Sequence, residues 1–305
     1  MKKSFIVFSI FCISQTLPAQ TNKISPDDLP IMEQLEDTLG LLGFLIINDS
    51  LPEHRFGATK KMIPTLVKAL KIKNSFSYPF EQLRTVSILY PPDSTFRVFT
   101  WQLYVDVDDY RYYGAIQMNT SELKLFPLID RSRQVESEEY DILSPDQWYG
   151  ALYYNIKQFD TPNGKDYLLF GFNGYSLFNK KKLIDVLHFE NGNAQFGAPV
   201  FIQEDSETGA QTIRNRIVKE YSAEGTFQMN YDATFEKIIF DHLVEMGGSY
   251  NQGLAAVPDG TYEGYILKDG KWVWEEKVFH EILEEAPRPE PILDGRKLDI
   301  FGKSN

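Results

Sequence analysis

The sequence predicts a mainly β protein, an antiparallel meander of successive hairpins behind an N-terminal helical segment. Three observations carry this prediction. The apolar period changes from helical to alternating near Phe76. Turn pairs such as Asn191-Gly192 and Asp269-Gly270 then punctuate the chain. The runs between them are dominated by Tyr, Phe, Trp, Val and Ile, the residues that suit a pleated surface, and all four Trp fall in this part.

The first element is an export signal. Lys2 and Lys3 form a positive start, Phe5–Ile13 is apolar apart from Ser9, and Leu17-Pro18-Ala19 closes the segment with a small residue. Residues 1–19 therefore read as a signal peptide cleaved after Ala19, which places the mature chain in the periplasm or outside the cell. The apolar run falls short of the roughly 20 residues that a span needs, so no transmembrane span is expected after processing. Cys12, the only cysteine, lies inside the run and not at its end, unlike a lipoprotein signal. The mature chain then has no disulfide and no thiolate chemistry.

Residues 20–74 form the helical segment. In Asp28–Asn48 the apolar positions Ile31, Met32, Leu35, Leu39 and Leu42 share a helix face. Gly40 and Gly43 weaken its second half, so Phe44–Ile47 could instead be a strand. Ser50 and Glu53 give a helix start signal, and Met62, Ile63, Leu66, Val67 and Leu70 supply the next apolar face. Pro64 predicts a break or fresh start near Thr59–Met62. Lys60, Lys61, Lys68, Lys71 and Lys73 read as a solvated face. Neither apolar face is large enough to bury alone, so the helices are expected to pack on the sheet.

Residues 75–283 carry the hairpins. The pairs are Val86–Tyr90 with Phe96–Val107, then Tyr110–Met118 after Asp108-Asp109, and Trp148–Phe159 with Tyr167–Phe172. Leu183–Phe189 with Ala194–Phe201, Glu220–Tyr231 with Phe235–Leu243, and Thr261–Leu267 with Lys271–Val278 complete them. A sandwich, a barrel or a partial propeller all accommodate such a meander. Arg131–Asp146 and Gln203–Thr212 read as polar loops. Residues 284–305, with Pro287, Pro289 and Pro291, read as an extended tail.

Composition narrows the function. About 286 residues would remain after cleavage, with 29 basic against 43 acidic residues and a net charge of −14, compared with −12 for the whole chain. Such a chain repels phosphate backbones, so nucleic acid is not expected as a partner. His54, His188, His242 and His280 show no metal-ligand spacing. Asp241-His242 would need a bulge to bring both side chains to one face. No nucleophile elbow and no phosphate-binding glycine loop occurs. Asp106, Asp108 and Asp109 crowd a hairpin end, where turn preference and paired-acid chemistry compete as readings.

Two candidate sites remain. Asp160, Asn163 and Asp166 place oxygens at the first, fourth and seventh positions of a loop, a spacing open to calcium; a plain hairpin loop is the competing reading. No other cofactor is implied. Trp148, Tyr149, Tyr153 and Trp272 offer an aromatic platform for a glycan or peptide, or else core packing.

The stretches Trp148-Tyr-Gly-Ala-Leu-Tyr-Tyr, Tyr167-Leu-Leu-Phe-Gly-Phe-Asn-Gly, Lys182-Leu-Ile-Asp-Val-Leu, Phe196-Gly-Ala-Pro-Val-Phe and Val257-Pro-Asp-Gly-Thr-Tyr-Glu-Gly-Tyr resemble an uncharacterised family of exported proteins of the Bacteroidota. The resemblance spans about Phe96 to Phe279 and implies export, without an activity or catalytic residues. The functional expectation is a non-enzymatic envelope or secreted binding protein. The alternatives are a hydrolase acting on glycan or peptide through Asp/Glu residues, and a calcium-stabilised scaffold.

Overall fold

Helices and strands stack in four layers in the computed structural model, which describes residues 23–205, 208–248 and 253–279. The expected signal segment with Cys12, His280 and the expected 284–305 tail lie outside the described residues. The described part holds two α-helices and 15 strands in three sheets, so the mainly β prediction is met. None of the sheets closes into a barrel.

The outer layer is the helix pair α1 (Leu29–Asn48) and α2 (Pro52–Leu70). Phe44–Ile47 is helical after all. Gly43 is needed there because a Cβ would run into the Thr85 hydroxyl, so α1 can approach the Phe80–Val86 segment closely. Nor does α2 break at Pro64. Pro64 and Lys60 both face solvent, so water can take the Lys60 carbonyl that the missing N–H leaves free. The start of α2 also differs from the expected capping signal. Pro52 sits at the first turn, and the Asp49 carboxylate, not Ser50, takes the Leu51 N–H at 2.9 Å.

Beneath the helices lies an antiparallel sheet of β1 (Ser87–Leu89), β2 (Phe96–Asp106), β3 (Asp109–Met118) and β4 (Leu125–Ile129), in that order. Alternation along β2 splits its side chains between two cores. Phe99, Trp101 and Leu103 pack on the helices with Met32, Leu39, Met62 and Leu66, so the expected docking is present. Phe96 and Val98 face the next sheet. Glu36 reinforces the docking by accepting from the Tyr78 hydroxyl and from the Gln82 N–H at 2.7 Å. Arg55 adds to it, donating through Nε to the Tyr104 carbonyl at 3.0 Å.

The middle sheet runs β11 (Ile217–Ser222), β7 (Asn179–Glu190), β6 (Gly164–Asn173), β5 (Leu152–Thr161), with β8 (Asn193–Phe196) hairpinned onto β7. It is covered on both faces. That explains the unbroken apolar run Tyr167-Leu168-Leu169-Phe170, in which Leu169 enters one core and Leu168 and Phe170 the other.

The far layer runs β10 (Gln211–Arg214), β9 (Phe201–Glu204), β15 (Lys271–Glu275), β14 (Leu254–Lys268), β13 (Lys237–Gly247), β12 (Met229–Asp232). Its β9–β15 pairing is parallel, so this sheet is mixed and departs from a simple meander. Two runs expected as single strands account for this. Ala194–Phe201 breaks at Gly197, where φ is +96°, and β9 leaves β8 for the far sheet. Glu220–Tyr231 divides likewise, β11 pairing with β7 and β12 with β13.

Candidate functional site

The helix pair does not cover its sheet evenly. α2 crosses above the helix-facing side of β3 and β4 and leaves a groove of about 590 Å³, a volume in the usual range for small-ligand sites. One wall is Ile63, Leu66, Val67 and Leu70 of α2; the floor includes Trp101, Tyr113, Leu125, Pro127 and Ile129. Pro127 is tolerated because β4 is an edge strand. Ile63 and Ile129 remain 39% and 45% exposed, so apolar surface inside the groove is open to solvent. The ring of Tyr113 stacks on Trp101 with centroids 5.6 Å apart.

The chain leaving β4 builds the polar rim. Asp130 accepts from the N–H groups of Tyr112 at 3.0 Å and Ser132 at 2.9 Å, and from the Ser132 hydroxyl at 2.7 Å. Arg133 donates to Asp109 at 2.8 Å and to the Asp108 carbonyl at 3.0 Å. The backbone of Arg131 is held by the Trp148 carbonyl at 2.9 Å. Both acids are therefore engaged, whereas Arg111 and Arg131 have no carboxylate partner among the described residues. Arg111 lies over the Phe56 ring, 5.4 Å from its centroid. Burial raises the Tyr113 hydroxyl above its ordinary value, with the nearby Arg111 charge opposing and the Asp130 charge adding to the rise.

The sequence-predicted residues lie elsewhere. Trp148, Tyr149, Tyr153 and Trp272 are all core side chains, none more than 2% exposed, and so present no platform to solvent. The Trp148 indole donates to the Tyr153 hydroxyl at 2.8 Å, and Trp272 packs edge-on against Phe159. Dense aromatics signalled the cores between layers, because three stacked sheets bury both faces of the middle one. The groove escaped sequence reading: its walls come from a helix, three strands and a turn that no single motif spans.

The Asp160, Asn163, Asp166 loop does not form a cation cage. The hairpin pairs Asp160 with Lys165 and Asp166 with Phe159, which puts the two carboxylates on opposite faces of the sheet. Among the described residues no group of three or more His, Cys, Asp or Glu side chains could hold a metal ion. Burial raises the Asp166 carboxyl above its ordinary value, although neighbouring His188 and Lys271 oppose it. The folded state then holds this proton more tightly than the unfolded state, and stability is lost as pH rises through the carboxylate range. Asp166→Asn is expected to raise the urea midpoint at pH 7 and leave it unchanged at pH 3, in parallel denaturation curves.

The other acids considered from the sequence are each engaged by other groups. Asp185, the second carboxyl that burial raises, faces the opposite side of the middle sheet from Asp166 and is paired with Arg216. Asp106 accepts from the Val107 N–H, Asp108 from the Leu177 N–H, and Asp109 from Arg133. A register shift does occur between Asp241 and Leu243, the bulge that an Asp241–His242 pair would require. His242 nevertheless contacts Asp259 at 3.0 Å, at the surface, while Asp241 accepts from the Gln228 N–H.

No described helix is long and apolar enough to cross a membrane. Comparison with protein-family models, curated proteins and solved structures finds no match to this chain.

Proposed function

We propose that this is an exported, non-enzymatic binding protein that takes an apolar small molecule in the groove between α2 and the β3–β4 edge. The carrying observation is the groove itself: about 590 Å³ of space with an apolar wall and floor and a rim fixed by hydrogen bonds. Export is supported by Lys2, Lys3 and the apolar run Phe5–Ile13. A glycan is a poorer fit than an apolar ligand, because Trp148, Tyr149, Tyr153 and Trp272, the rings that would stack a sugar, are buried in the cores.

A neutral fluorescent reporter of apolar sites, N-phenyl-1-naphthylamine, tests this reading. It should brighten on binding, and Val67→Trp, which fills the groove from a half-buried helix position, should weaken the binding at least tenfold with little change in Tm. Equal binding by wild type and Val67→Trp would remove the groove as the site.

A further inference from the structure

Resting on that reading, we infer that the groove's ligand is an anionic amphiphile: a hydrocarbon chain lies along α2, and a carboxylate head is held by Arg131 and Arg111. Charge complementarity carries the inference. The chain as a whole is strongly acidic, at −12, yet three arginines and only two aspartates line this groove. Those aspartates are already occupied. Asp109 neutralises Arg133, and Asp130 is satisfied by two N–H groups and a hydroxyl. That leaves the guanidiniums of Arg111 and Arg131 without carboxylate partners among the described residues, both lining the groove.

The surroundings favour an anion over a neutral head. The Tyr113 hydroxyl, which lines the groove near Arg111, adds a neutral donor to the two cations. Guanidinium presents a planar fork that matches a carboxylate, and such charge-assisted bonds are roughly twice as strong as neutral ones. A cationic head would meet an excess of positive charge, three guanidiniums against two carboxylates. The apolar side chains Ile63, Leu66, Val67 and Leu70 recur along one stripe of α2, a surface suited to an unbranched chain.

Calorimetry on the full chain with monomeric dodecanoate and dodecan-1-ol, each below its aggregation limit, separates head from tail. Dodecanoate should bind about tenfold or more tightly than the alcohol, a difference set by charge-assisted hydrogen bonds. Arg131→Gln should bring dodecanoate down to the alcohol's affinity and leave the alcohol unaffected, and the wild-type preference should shrink as salt rises. Equal affinity for the two ligands, or an Arg131→Gln variant that keeps the preference, overturns the anionic head and leaves the groove reading standing. If neither ligand binds and N-phenyl-1-naphthylamine ignores Val67→Trp, the groove reading falls and this inference falls with it.

Discussion

Replacing Asp185 with Leu, or Arg216 with Met, should lower the unfolding free energy by about 3–5 kcal/mol each, because either change leaves a lone charge in the core. Both side chains are fully buried, with Nε of Arg216 2.9 Å from Oδ1 of Asp185. Burial pushes the Asp185 carboxyl up, while the Arg216 charge, the Val186 N–H and the Tyr153 hydroxyl pull it down. Arg216 also donates through Nη1 to the Glu138 carbonyl at 2.6 Å, fixing the 131–146 segment over the middle sheet.

The double replacement Asp185→Leu with Arg216→Met should recover most of that loss. Nη2 of Arg216 has no hydrogen-bond partner among the described residues, so the pair is incompletely compensated even when intact. Apolar replacement of a buried pair is often neutral or stabilising. Thermal unfolding of the four proteins in a double-mutant cycle reads this out. A drop of roughly 6–20 °C for each single variant, with the double variant close to wild type, is the expected pattern. Single variants within a degree or two of wild type would show that the two charges do not depend on each other.

The pair also marks where sequence reading stops. Period-2 alternation placed β2, and glycine-containing turns placed the β7–β8 and β14–β15 hairpins, because strand and turn geometry are local. Which sheet a strand joins is not local. Nothing in Glu220–Tyr231 says that its first half pairs with β7 and its second with β13. Asp185 reads as one acid in an apolar strand until Arg216, 31 positions later, is folded against it. The groove has the same character: Val67, Tyr113 and Arg131 come from a helix, a strand and a turn that meet only in the folded chain. Residues that looked like a binding surface, Trp148 and Trp272 above all, were legible as aromatic but not as buried, since one chain segment does not show how many layers will cover it.

Arg97 is the second position where a large loss is expected, and here conservative replacement should not rescue. It lies on β2, fully buried, and no carboxylate pairs with it among the described residues. Burial lowers its pKa, and the neighbouring Tyr90 hydroxyl works the other way. Its charge is held instead by a ring of acceptors. Nε reaches the Gln117 side chain at 2.8 Å, Nη1 the Tyr78 carbonyl at 2.6 Å and the Tyr90 hydroxyl at 2.7 Å, and Nη2 the Ser75 carbonyl at 2.9 Å. The rings of Phe76, Phe80, Tyr90 and Phe99 surround the guanidinium, with centroids 4.8–5.7 Å away. Through these contacts one side chain ties the Ser75–Phe80 connector, and with it the helix pair, to the first sheet. Arg97→Ala should cost about 3–5 kcal/mol, as a large cavity and several unsatisfied carbonyls would. Arg97→Lys should cost about 2 kcal/mol or more, because an ammonium cannot span acceptors in three directions. Limited proteolysis should then cut the connector in both variants before the β layers unfold. A lysine variant with wild-type Tm and an intact connector would show that charge alone suffices there, and that the fork geometry is not what anchors the helices.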